Sequence, residues 1–179
     1  LREVLVEPVQ MAPPPGHPVD TFQRENRALE EGVAEIRSLS GTPGPEPDLA
    51  SWRAAVGRLM DVEKHYPRKE NLLFSCLERH GITGPSKVMW GKDDEVRELL
   101  TTLDEAFSVD EMTVGELAPL VAAVVDPAPA AVEEMISKEE RILLPMARET
   151  LAEDEWAEIW HESPRFGYCL VEPRSGYRP

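Results

Sequence analysis

Shifted by 70 residues, the chain falls on itself. Lys69-Glu70-Asn71-Leu72-Leu73-Phe74-Ser75 lies over Glu139-Glu140-Arg141-Ile142-Leu143-Leu144-Pro145, and the same register sets Glu25, Arg27 and Leu29 over Glu95, Arg97 and Leu99. One register that serves two separated pairs of segments predicts two helical hairpins packed about a pseudo-twofold axis, which would turn Glu70 toward Glu140. Glu-x-Leu-Leu patterns are common in helices and can recur by chance. Here each glutamate is followed, after one residue, by three large apolar side chains, which sets it beside a core-facing stripe.

The helical stripes agree with the repeat. Pro18 suits a first helical turn, and Phe22, Ala28, Leu29, Val33 and Ile36 recur at helical spacing to about Ser38. After SGTPGPEPD, the stripe Leu49, Trp52, Val56, Leu59, Met60 runs through HYPRKENLLF to Arg79. Gly81 and Gly84 mark a turn, and Val88, Val96, Leu99, Leu100, Leu103 and Phe107 predict a third helix ending near Val109. A fourth begins at Thr113, is interrupted at DPAPA and resumes from Ala130 to Leu151, and Glu153 to Glu162 forms a short fifth. With no alternating strand pattern, the expected fold is all-α: a four-helix up-down bundle over residues 17–163 with a short extra C-terminal helix. Five prolines in the first 18 residues predict a non-helical arm over 1–16, and 164–179 reads as an irregular tail that Phe166, Tyr168 and Leu170 strap down.

Composition narrows the function. A formal charge of −15 without a Lys/Arg block argues against nucleic acid and anionic membrane, both of which need a basic footprint. Cys76 and Cys169 show no ligand or disulfide spacing and read as reduced thiols, no apolar run suggests a membrane span, and the first 18 residues lack the basic-then-apolar order of a secretion signal. The expected location is the cytoplasm. A chain beginning at Leu1 leaves room for flanking domains, and a homo-oligomer stays open. Ser-His-Asp order, phosphate loop and nucleotide fingerprint are all missing.

Carboxylates beside a bundle core are costly unless paired or bound to a cation, and imidazole with carboxylate from several helices is how bundles hold iron. The candidate metal ligands are His17, His65, Glu70 and Glu140. His65 precedes Glu70 by five residues, a spacing that an ideal helix splays by about 140°. Pro67 between them invites a kink or π-bulge that would bring five-residue spacing into line. Met135 occupies the repeat-related position of His65, so any site is asymmetric. Glu139 and Lys138 read as solvated neighbours, His80 as a charge partner at a helix C-terminus, His161 as exposed, and Met89 and Trp90 as packing residues.

In order along the chain, PPGHPVDTFQRENRALE, HYPRKENLLFSCLERHGITGP, VMWGKDDEVR, ISKEERILLPMARETL and DEWAEIWHES resemble the haemerythrin-like HHE cation-binding family, particularly the branch often joined to PAS domains. The resemblance covers about residues 12 to 169. It implies a four-helix bundle with non-haem iron, His17 and His65 as terminal ligands and Glu70 and Glu140 as bridges, used to bind or sense dioxygen or a related diatomic, or to handle iron. It also implies histidines near Asp20 and Asp93, where this chain has aspartate, and often at Met135. The expected cofactor is therefore mono- or di-nuclear iron. A haem b alternative makes the bundle an enzyme or gas sensor, with His17 or His65 axial and Met135 or Met89 as a second soft ligand. An enzyme would be an iron- or haem-dependent oxidoreductase acting on a small molecule. The remaining alternative is a metal-free interaction module in which Glu70 and Glu140 pair with basic side chains such as Arg97.

Overall fold

The computed structural model describes residues 10–41 and 44–179. Among these, every regular element is helical. Helix α1 (Pro18–Gly41) opens with Pro18 at its first position and His17 as its N-cap, the His17 Nδ1 accepting a hydrogen bond from Val19 N at 3.1 Å. A second run comprises α2 (Leu49–Leu59), capped by Asp48, then α3 (Val62–Arg68), a π-helical turn (Lys69–Leu73) and α4 (Phe74–Arg79). Gly81 ends it at φ +78°, with Ile82 N on Leu77 O (3.0 Å) and Gly81 N on Glu78 O (2.9 Å), the paired bonds of a left-handed helix stop. Helix α5 (Gly84–Phe107) follows.

The fourth run is α6 (Val114–Leu120), a π turn (Val121–Val125), α7 (Pro127–Lys138), a third π turn (Glu139–Leu143) and α8 (Leu144–Thr150). The interruption expected at DPAPA shrinks to Asp126: Pro127 and Pro129 sit in the first turn of α7, where a missing N–H costs nothing. Helix α9 (Glu153–Glu162) closes the series, as expected.

Helix α1 packs on α2 and α7, and α5 packs on the same two, so the four runs close into an up-down ring. Phe22, Leu29, Ile36, Trp52, Leu59, Leu73, Leu100 and Phe107 fill its interior, and Gly32 lets Leu59 Cδ2 approach α1 to 3.0 Å of where a β-carbon would lie. The span Val114–Thr150 is long and apolar enough to cross a bilayer by length and composition alone, which corrects the expectation that no stretch qualifies. Here it forms the fourth wall of the bundle, a role that core helices share.

Residues 1–9 of the expected arm lie outside the described residues. From Gln10 the chain is non-helical up to α1, and the tail crosses it: Tyr177 N donates to Pro15 O (2.8 Å), and Arg174 holds both Asp20 oxygens. Gly16, at φ +83°, faces Arg174 O so closely that any β-carbon would collide.

Candidate cation site in the bundle core

The bundle interior is not uniformly apolar. Glu25 and Asn26 from α1, His65 and Arg68 from α3, Lys69 and Glu70 from the first π turn, Asp93 from α5 and Glu139 from the third π turn are all buried. His65 and Lys69 are four residues apart and so share one helical face; their repeat partners Met135 and Glu139 share the corresponding face. The repeat of 70 residues thus does bring two helices face to face, but the axis-facing pair is Lys69 and Glu139.

The contacts form one continuous network. His65 Nε2 meets Glu139 Oε1 at 2.6 Å, and its Nδ1 meets Glu25 Oε1 at 3.1 Å. Lys69 Nζ donates to Glu139 Oε2 at 3.0 Å and to Asp93 Oδ1 at 2.6 Å, and lies 4.3 Å from the centre of the Tyr66 ring. Arg68 donates to Glu25 Oε2 at 2.7 Å and is sandwiched between Phe22 and Tyr168. The tail completes it: Cys169 N donates to Glu25 Oε2, and Leu170 N to Asp61 Oδ2 at 2.8 Å. Leu170 takes φ +61°, a strained value for a branched residue, and thereby presents consecutive N–H groups to two carboxylates.

Protonation follows from these neighbours. Burial alone would lower the His65 pKa, but Glu139 and Glu25 outweigh it and hold the imidazolium up at about 9. Burial likewise opposes ionisation of Glu139, yet His65 and Lys69 bring it down to about 2. Glu25 is lowered in the same way, by His65 and Arg68 against its burial. Asp93 moves the other way: burial, helped by Glu70 and Glu139, pushes it to about 8 against the pull of Lys69. Its Oδ2 and the Asn26 Oδ1 are buried without a donor.

The residues expected from the sequence are not gathered at one point. His65 is central. Glu70 is buried, but both its oxygens accept from Arg97 at 2.7 Å. Glu140 points the other way, at Arg27 on the surface between α1 and α7. The π turn expected to align His65 with Glu70 does form, beginning two residues after Pro67, and Lys69 rather than Glu70 shares the His65 face. His17 caps α1 between the rings of Trp156 (4.9 Å) and Tyr177 (4.8 Å); burial, with Arg148 nearby, depresses it to about 4, so the ring is neutral. Its Nδ1 lone pair is engaged by Val19 N. Met135 is packed in the core at 2% exposure, and Asp20 is engaged by Gly16 N and Arg174.

Glu139 overturns its expected reading as a solvated neighbour, since it is only 1% exposed and has three partners. Sequence reasoning also passed over Glu25 and Lys69 as site residues. The available signal was the spacing of four from His65 to Lys69 and from Met135 to Glu139. His80 meets Glu155 at 2.6 Å, as a helix-terminal charge partner would.

An all-α bundle with a buried cluster of imidazole, carboxylate and cationic groups defines the class. Residues 17–147 match the family model described as Hemerythrin HHE cation binding domain, and the chain belongs to that family. No curated protein matches it.

The family implies a bound cation, typically iron, and the donor set can be tested for it. Both His65 nitrogens are engaged by carboxylates, and the space between Glu139 and Asp93 is taken by the Lys69 ammonium. Among the described residues, no three His, Cys, Asp or Glu side chains converge as a metal set, and the free acceptors in this buried network amount to Asp93 Oδ2 and Asn26 Oδ1. Two oxygens fall short of the four to six donors that iron or zinc takes. In this arrangement the residues do not fit an iron centre. Haem fares no better: His17 serves as a helix cap, and His65 is enclosed by Glu25, Glu139, Phe22 and Tyr66.

Proposed function

We propose that this domain works as a metal-independent binding module of the HHE family, its core cation supplied by the chain itself. One observation carries this: Lys69 Nζ bridges Glu139 (3.0 Å) and Asp93 (2.6 Å) in the bundle interior. A buried carboxylate beside a second carboxyl needs a positive counterpart, and a lysine on a helix facing the same axis provides one from the chain itself. With His65 held as an imidazolium, the network has no lone pair on nitrogen to offer a metal.

The reading as a non-haem iron protein for dioxygen or a related diatomic is supported by family membership and by one local feature. Glu25 on His65 Nδ1 has the form of the outer carboxylate that commonly orients a metal-bound imidazole. That reading needs Lys69 to leave the axis and His65 to lose a proton.

Metal analysis and an absorption spectrum of protein produced with iron supplied separate the two. The metal-independent reading expects iron far below one per chain, no Soret or near-ultraviolet charge-transfer bands, and a melting temperature indifferent to chelator. Iron near stoichiometry that survives dialysis against chelator would refute it, and a Soret band would establish haem instead.

A further inference from the structure

The end of the bundle remote from the tail is built differently from the rest. Helix α1 carries the chain about 36 Å from His17. Two connections meet at its far end: 44–48, leading into α2, and 108–113, between α5 and α6. Glu46, Pro47 and Asp48 form a shared wall between two adjoining depressions. One, of about 180 Å³, is floored by Leu39, Trp52, Val114 and Leu117. The other, of about 410 Å³, is lined by Leu49 and Met112 together with Asp110 and Glu111. Helix α6, along one side, has no buried residue, and Val109 and Val114 are exposed.

Glu46, Asp48, Asp110 and Glu111 line this trough, and the chain around it is acidic. Segments 44–53 and 104–117 contain seven carboxylates and one basic residue, Arg53. The Arg53 guanidinium is committed to the Phe107 and Val109 carbonyls. Glu46, Asp104, Glu105, Asp110 and Glu111 have no ion-pair partner among the described residues. Asp104 and Glu105 sit in the last turn of α5, which has no basic residue, so their charges meet the negative end of the helix dipole. Such a placement costs stability in the free protein and is relieved by a cation from outside.

We propose that this trough docks a cationic amphipathic helix of a partner protein. The apolar floor accepts a stripe of large aliphatic side chains, and the carboxylates flanking it pair with lysine or arginine on either side of that stripe. Charge decides among occupants. A second copy would set one acidic rim against another on chains of net charge −15, and an anionic bilayer would be repelled likewise. The proposal names the partner class of the binding module and rests on that reading only for the claim that docking is the domain's work.

Titration of the full chain with a labelled Leu/Lys amphipathic peptide, followed by fluorescence anisotropy and amide NMR shifts, tests the proposal. Two control peptides carry the same composition scrambled to remove the stripe, and Glu in place of Lys. The expected result is saturable binding of the amphipathic cationic peptide alone, with shifts confined to 44–53 and 108–120. Asp110→Lys/Glu111→Lys should weaken it about tenfold, as should Val114→Ser. Equal binding by the scrambled or anionic peptide, shifts centred elsewhere, unchanged affinity in both variants, or binding displaced by self-association or by neutral vesicles would each overturn it. Metal content read on the same sample keeps the two ideas apart. An iron-loaded chain that docks the peptide refutes the core reading alone, and an iron-free chain that ignores it refutes the docking site alone.

Discussion

Replacing Lys69 with Met isolates the charge from the packing, because the methionine fills most of the space of the lysine stem and removes only the ammonium. Lys69 is fully buried, so Glu139 Oε2 and Asp93 Oδ1 would lose their ammonium donor in a region that excludes water, and Glu139 would keep His65 alone as a charged partner. Removing one partner from a buried pair typically costs about 3–5 kcal/mol, because the remaining charge stays desolvated. With an m-value of about 2 kcal/mol/M for a domain of this size, the urea midpoint at pH 7 should fall by about 2 M. Asp93, at about 8 beside Lys69, is already mostly protonated at pH 7 and stays so without it, which limits the stranded charge to Glu139 and makes the loss the same at pH 5 as at pH 7. Lys69→Met/Asp93→Asn, in which the amide stands in for the protonated carboxyl, should match the Lys69→Met midpoint to within about 0.5 kcal/mol. Circular dichroism against urea measures all three midpoints. If Lys69→Met costs less than about 1 kcal/mol at pH 7 with the helical spectrum intact, an exposed site's worth, then Lys69 is not the core's cation and the reasoning fails.

Stability should also decline in alkali. The His65 pKa is raised from 6.5 to about 9, so its contribution is complete below 6.5 and lost as pH rises through 9; the upward shift of Asp93, from 3.8 to about 8, adds a decline between those values, where the unfolded chain ionises this carboxyl and the folded one does not. The His65 part amounts to about 3 kcal/mol, and a urea midpoint unchanged between pH 6 and pH 9.5 would contradict it. On the acid side, Glu139 is lowered from 4.5 to about 2, so its contribution is present above 4.5 and disappears as pH falls through 2. The two repeat-related glutamates should respond unequally to loss of their arginines. Arg97→Met strands Glu70, which is 3% exposed, and should cost about 3 kcal/mol or more, whereas Arg27→Met at the surface pair with Glu140 should stay within about 0.5 kcal/mol. Equal melting-temperature shifts for the two variants would show that the repeat is functionally symmetric after all.

The bundle was readable because its cause is periodic. Stripes such as Phe22-Leu29-Val33-Ile36 and Val96-Leu100-Leu103-Phe107 repeat at a spacing only a helix can bury, and Gly81 stops a helix for a reason visible in any sequence. The DPAPA segment was harder: proline is read as a breaker, yet at the first turn of a helix it breaks nothing. His17 shows the same limit for a site residue. A histidine before Pro18 reads equally as a ligand or as a residue of the helix's N-terminal turn, and the bond from Val19 N to its Nδ1, which makes it a cap, has no signature in the sequence. The tail's part in the core was foreshadowed by Tyr168, but the donation from Cys169 N to Glu25 joins residues 144 positions apart and leaves no local pattern.

The misreading of the core was a matter of one residue, and that residue changes the chemistry. Tandem Lys69-Glu70 and Glu139-Glu140 each sit at the edge of an apolar run, so the local pattern does not say which member of the pair turns inward. Choosing Glu70 and Glu140 puts two carboxylates at the axis beside one imidazole, and such a set demands an external cation. The spacing of four from His65 selects Lys69 and the matching spacing from Met135 selects Glu139, which gives the axis one positive and one negative group. The π turns begin at these two residues, and each following glutamate rotates out of the axis, Glu70 to Arg97 and Glu140 to Arg27. A core that carries lysine against glutamate neutralises itself on folding. As proposed, Lys69 takes the place of the cation that the HHE family binds from solution, and folding rather than metal uptake should then determine whether this domain is in its working state.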